Sequence, residues 1–130
     1  MFVAMVGCLL YLAACSGNAT PAPTATAEPQ YSPEEAAQIE EGERLFSQHC
    51  ASCHATEPET VIVGPSLAGI ASQAETRVDG LTAQEYIELS IVRPDAYLVE
   101  GFENVMPANL GKRLTGEELD ALVAYLLTLE

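Results

Sequence analysis

Cys50 and Cys53 stand three positions apart and a histidine follows at once, in the run Cys50-Ala51-Ser52-Cys53-His54. Two thiols at that spacing share one side of a helical turn. Each can add across a vinyl group to give a thioether, and the imidazole of His54 then lies beside whatever the two sulfurs hold. C-x-x-C-H is the spacing of a c-type haem attachment, with His54 as the proximal iron ligand. Other uses of the pair fit less well. A zinc site needs about four nitrogen or sulfur ligands, and the only two histidines, His49 and His54, crowd the same two cysteines. A thioredoxin-like dithiol needs a βαβ context, and no strand pattern supplies one. A structural disulfide between Cys50 and Cys53 stays open at this level.

An iron held by one imidazole needs a sixth ligand or keeps an open face. Met106 is the candidate, in the aperiodic stretch Glu100-Gly101-Phe102-Glu103-Asn104-Val105-Met106-Pro107. A thioether is a soft donor that suits haem iron opposite histidine, whereas a loop methionine taken alone is usually a gap filler. Met1 and Met5 fall in an N-terminal segment expected to be removed, which leaves Met106 as the methionine of the mature domain. On the His54 side, Gly64-Pro65-Ser66-Leu67-Ala68-Gly69 marks a turn. Pro65 lacks an N–H, but its carbonyl can accept from the second ring nitrogen of His54, and a ligating histidine usually has such an acceptor.

Three capping boxes position these groups: Ser32-Pro33-Glu34-Glu35, Thr82-Ala83-Gln84-Glu85 and Thr115-Gly116-Glu117-Glu118. The first also puts proline at the first helical position. Its helix carries Ile39, Gly42 and Phe46 at helical spacing and delivers the chain to Cys50. A glycine inside a helix costs about 1 kcal/mol relative to alanine, so Gly42 predicts a close helix crossing. The second helix carries Tyr86, Leu89 and then Val92 or Arg93, and Pro94 ends it. The third carries Leu119, Leu122, Val123 and Leu126, an apolar stripe expected to bury against the Gly42 face. A short helix is expected from Ser66. Tyr86 and Tyr97 read as core or rim residues, with a hydrogen bond to a haem propionate as the alternative. No segment alternates with period two, so no sheet is expected.

A chain of 130 residues supports one small domain. It has no tryptophan, and a covalent haem would add a large flat apolar body to a modest core. The 19 acidic residues against five basic ones argue against nucleic acid, whose affinity rests on basic side chains. The acidity serves solubility or steers the protein toward a partner with a basic docking patch.

Residues 1–14 read as a lipoprotein signal peptide, an apolar run too short for an ordinary transmembrane helix. Leu12-Ala13-Ala14-Cys15 resembles the bacterial lipobox, which makes Cys15 the expected lipidation site, with Cys8 a weaker candidate. A signal peptide normally opens with Lys or Arg, and none precedes Arg44; that is the pattern expected if the natural chain starts further upstream. Residues 15–32, rich in Ala, Thr and Pro, read as a flexible lipid-anchored linker. At about 3.1 Å per residue, Ser16 to Ser32 of that stretch reaches about 50 Å when extended, and about 20–25 Å as a coil.

Residues 33–130 are the expected folded domain, and from about Glu34 to Glu130 it resembles a bacterial class I cytochrome c. The resemblance rests on the Gly42/Phe46 helix, Cys50-x-x-Cys53-His54, Gly64-Pro65-x-Leu67, Met106-Pro107 and the Leu/Val/Tyr125-rich terminal helix. It implies an all-α fold of three main helices and a short one around one covalent haem c, with the first and last helices crossing near Gly42 and Tyr125. It implies covalent attachment at Cys50 and Cys53, iron ligation by His54 and Met106, Pro65 behind His54, Leu67 packed on the haem, and a haem edge exposed beside the thioethers. The function expected is single-electron transport in a respiratory or photosynthetic chain, without bond-making chemistry, on the outer face of a bacterial cell membrane (the periplasmic side where an outer membrane exists). Ser90 to Leu126 also resembles, weakly, small cytochromes attached to terminal respiratory oxidases. The alternative is a haem subunit or sensor with an open sixth site, for which His49, tethered beside Cys50, is a poor distal group.

Overall fold

Each capping box opens a helix in the computed structural model, which describes residues 30–130. The long helices are α1 (Pro33–His49), α3 (Ala83–Val92) and α4 (Gly116–Leu126), and a short α2 spans Ile70–Ala74. At the three long N-termini the Ser32, Thr82 and Thr115 hydroxyls accept from the backbone N–H three residues on, at 3.2 Å. The paired glutamates accept from the cap N–H groups at 2.8 Å. Two of the donors that a helix start leaves without partners are thus satisfied at each. The signal peptide, Cys8, Cys15 and most of the linker lie outside the described residues.

Gly42 explains how α1 meets α4. A Cβ there would overlap the Ala121 carbonyl and lie 2.7 Å from the Tyr125 Cβ, so only glycine allows the two backbones to approach this closely. Phe46 and Tyr125 stack in a tilted pair beside the crossing, ring centroids 5.5 Å apart. Leu45 and Leu122 interdigitate into the core with 2% and 0% of their surface exposed. Truncating either to alanine would cost about 2–5 kcal/mol, because a close-packed interior refills a cavity only in part.

Two elements differ in detail from the sequence expectation. α3 buries Tyr86, Ile87 and Ile91, while Val92 is 45% exposed and Arg93 is the C-cap. The buried face lies one row over from the Tyr86/Leu89/Val92 stripe. Val92 is instead the floor on which the backbone of Gly111 rests, where a Cβ would come within 2.9 Å of the Val92 Cα. α2 begins at Ile70 rather than Ser66, because Ser66 is occupied with a turn. Its hydroxyl donates to the Glu57 carbonyl at 2.7 Å and accepts from the Ala68 N–H at 3.1 Å. Gly69 then takes φ +70°, a left-handed conformation that breaks any earlier helix and suits glycine. The Ala71 N–H donates to Leu129 O at 3.2 Å, which pins α2 to the chain end.

The described residues form no strand; His54 and Val61 share one isolated antiparallel bridge. The four helices surround a single apolar core, joined by Leu110 from the connection between α3 and α4. The architecture is the expected all-α one, three main helices and a short fourth. Among the described residues no helix is long and apolar enough to cross a membrane.

Candidate functional site

The end of α1 turns directly into the Cys50–His54 segment. Cys50 caps the helix with its N–H on Phe46 O at 2.8 Å, and the N–H groups of Cys53 and His54 both donate to Cys50 O at 2.9 Å. One tight turn therefore carries both sulfurs and the imidazole. Both cysteines are free thiols in this structure. Burial, with a smaller contribution from Cys53, pushes the Cys50 thiol up to about 11, so it is neutral near pH 7.

The chain then loops out and returns beneath the histidine. Cys53 O accepts from the N–H of Val63 at 3.1 Å and of Gly64 at 2.9 Å, and Ala55 O accepts from Leu67 at 2.8 Å. Gly64 lies flat against the His54 ring: a Cβ there would stand 2.9 Å from both ring nitrogens. The next residue places its carbonyl 2.8 Å from His54 Nδ1. A carbonyl can only accept, so Nδ1 carries the proton and Nε2 keeps its lone pair. That is the tautomer of a metal-ligating imidazole, oriented from behind.

A cavity of about 420 Å³ opens in front of this turn, within the range of small-molecule and cofactor sites. Its lining is mostly apolar. Cys50, Cys53, His54, Pro65 and Leu67 line it, and so does Met106, which the connection between α3 and α4 brings in from far along the chain. Met106 is partly buried against the core. All six residues singled out in the domain are thus gathered around one space.

The sequence reading missed several lining residues. Leu98, Val99 and Phe102 come from an aperiodic segment, where their apolar character was the only signal. Arg77 and Arg113, two of the five basic residues of the chain, also line the cavity. Tyr86 and Tyr97 meet edge to face with centroids 5.6 Å apart, both on the cavity. Burial pushes the Tyr86 phenol up, with Ser90 and then the charge of Arg77 pulling the other way.

Two thiols on one turn, a lone pair on an oriented imidazole and a thioether, all on a large apolar cavity, fit a flat iron-bearing macrocycle. The cytochrome c family model matches residues 39–130. A cytochrome c6 of Bumilleriopsis filiformis is 32% identical over 92 residues, covering 71% of this chain and 92% of that protein. A cytochrome c6 of Pyropia yezoensis is 28% identical over 95 residues, covering 72% of this chain and 73% of the relative.

Proposed function

The chain belongs to the cytochrome c family, and from that premise we propose that it carries single electrons, its one haem c bonded to Cys50 and Cys53 and ligated by His54 and Met106. Covalent haem c comes with the family. The haem supplies a one-electron iron couple; this chain's residues decide how that couple behaves. Cys50 and Cys53 hold the group on the turn that also carries His54. His54 presents Nε2 while Pro65 O holds Nδ1–H, so the imidazole is oriented in advance and needs no rearrangement when charge changes. Leu67 and the apolar lining keep water away. Met106 offers a thioether, which raises the reduction potential relative to a second imidazole. With His54 and Met106 both holding the iron, no site would remain on it for a substrate, and the protein would make and break no bonds.

The observation that carries this reading is the His54–Pro65 hydrogen bond in a cavity that Met106 also lines. The test is a visible spectrum with an electrospray mass. We expect the mature chain plus one covalent haem, low-spin in both oxidation states. A mass without haem, or a high-spin ferric spectrum with rapid CO binding, would overturn it in favour of a dithiol module or an open-site haem protein.

The same proposal places the protein outside the cytoplasm, lipidated at Cys15 on the outer face of a bacterial membrane. Residues 15–32 let the domain swing between redox partners. The lipobox-like Leu12-Ala13-Ala14-Cys15 motivates this. Cys15→Ser should move the protein from the membrane to the soluble fraction; continued membrane association would sink the Cys15 assignment. The net charge of −14 favours partners with a basic docking patch. Electron exchange with such a partner should then slow as salt shortens the Debye length from about 10 Å at 0.1 M, and a rate independent of salt would leave the acidity to solubility.

A further inference from the structure

Val61, Ile62 and Val63 are consecutive, aliphatic and each half or more exposed, at 62%, 51% and 50%. Single exposed apolar residues need no explanation, whereas a contiguous apolar patch marks a contact surface. This one is also held in shape. Val61 shares the antiparallel bridge with His54, and the Val63 N–H donates to Cys53 O at 3.1 Å. On the other flank, Thr60 is tied by its N–H to Glu57 O at 3.4 Å and by its hydroxyl to Pro58 O at 3.3 Å. A surface ordered in advance loses little freedom when a partner covers it.

The charge beside this ledge has one sign. Glu57 and Glu59 precede it on the same loop, both exposed, and no Lys or Arg stands between Arg44 and Arg77. Burial pushes the Tyr125 phenol up, and the charges of Glu43 and Glu57 push it the same way, so the acidic flank continues from the loop onto α1. The Met106 side of the cavity is different. Leu98 and Val105 are exposed there, but residues 93–113 carry three acids, Asp95, Glu100 and Glu103, against three bases, Arg93, Lys112 and Arg113. A positive surface is drawn to the first side and meets no net attraction on the second.

We propose that Val61, Ile62 and Val63, with Glu57 and Glu59, form a docking ledge for a protein partner whose own apolar patch is edged by Lys or Arg. That partner seats on the His54 side of the cavity rather than on the Met106 side. The assignment rests on the electron-carrier reading. Val63 lines the cavity while Val61 and Ile62 lie outside its lining, so the ledge carries the contact past the mouth, along the loop that returns to Cys53 and His54. A second copy of this chain fits poorly, because two acidic flanks would face each other at a net charge of −14 each. An anionic lipid surface is repelled on the same ground.

The test uses tris(phenanthroline)cobalt(III), a cationic complex with apolar faces, in place of the partner surface. Full-chain, haem-loaded ferrous protein gives it one electron, leaving ferric protein and cobalt(II), and rates are compared at equal driving force from each variant's measured reduction potential. Val61→Ser combined with Ile62→Ser should slow the reaction about tenfold at low salt, the loss expected for one aliphatic contact. Glu57→Gln combined with Glu59→Gln should also slow it and flatten its salt dependence. Val105→Ser should keep the wild-type rate. With the anion hexacyanoferrate(III) as oxidant, the serine ledge variant should match wild type. Ledge variants as fast as wild type, or an equal loss in Val105→Ser, would overturn the ledge. In the Cys15→Ser background, a dimer that the serine variant abolishes would overturn it in favour of a second copy. Binding to phosphatidylcholine vesicles that the same variant abolishes would overturn it in favour of a lipid surface. A wild-type protein without haem would instead overturn the electron-carrier reading, and the ledge's role with it.

Discussion

The two segments that bring His54 and Met106 to the cavity are built in different ways. The His54 segment is cross-braced. Cys53 O takes two N–H groups from Val63 and Gly64, Leu67 ties back to Ala55, Ser66 to Glu57, and Pro65 to the imidazole. These bonds join residues far apart along the loop. The Met106 segment has only local turns: Phe102 N–H to Val99 O, Val105 N–H to Glu103 O, Leu110 N–H to Pro107 O. Val105 beside Met106 is 62% exposed. Hydrogen bonds of high sequence separation fix a side chain without help, whereas local turns leave it to be fixed by what it touches. The contrast teaches that the histidine is oriented by hydrogen bonds within the protein, and that Met106 depends for its place on what its side chain packs against.

The hardest blow to the braced segment is Gly64→Ala. The added Cβ would stand against the imidazole, so either the ring turns away from Pro65 O or the loop lifts off Cys53 O. Forced overpacking costs up to about 3 kcal/mol, and here it also misaims the imidazole proposed to hold the iron. We expect a large loss of holoprotein, and in the remainder a partly high-spin ferric spectrum. A variant with wild-type yield and spectrum would show that the His54 segment is as compliant as the Met106 segment.

Met106→Ala should strike the other segment with a different signature. Covalent haem stays, since Cys50, Cys53 and His54 are untouched. The weak near-infrared band that marks sulfur on ferric haem should vanish, and the reduction potential should fall as water or an added ligand takes the vacated face. Because that segment has few ties of its own, hydrogen exchange should rise across residues 98–110 and hardly change across 50–67. Equal loss of protection in both segments would erase the contrast; retention of the band would remove Met106 as a ligand.

The braced segment was also the legible one. C-x-x-C-H, the Pro65 acceptor and the Gly42 crossing each follow from a local constraint: a fixed spacing, a missing N–H, a missing Cβ. The capping boxes were legible for the same reason, since each satisfies its own helix start. What the sequence did not show depends on distant partners. Which face α3 buries is decided by the cavity and by Gly111 lying on Val92, not by any period within the helix. Ser66 reads as a helix start until its hydroxyl is seen to hold Glu57. Leu98, Val99 and Phe102 have no pattern because no regular element carries them, and nothing local in the sequence marks Arg77 as a cavity residue.

Ser66→Ala probes the contrast most finely. The hydroxyl gives one hydrogen bond to Glu57 O and takes one from the Ala68 N–H, both near the surface. Each such bond is worth about 0.5–1.5 kcal/mol net, and water can take over the freed groups at a partly exposed site. The expected loss of stability is therefore about 1 kcal/mol, read as a small drop in the denaturation midpoint. The reduction potential and the near-infrared band should not move, because the Cys53, Ala55 and Pro65 ties still hold the His54 ring. A segment braced by several independent bonds tolerates the loss of one. If Ser66→Ala shifts the potential, the braces act as a single unit, and the orientation of His54 depends on the loop around Glu57 as much as on the Pro65 carbonyl.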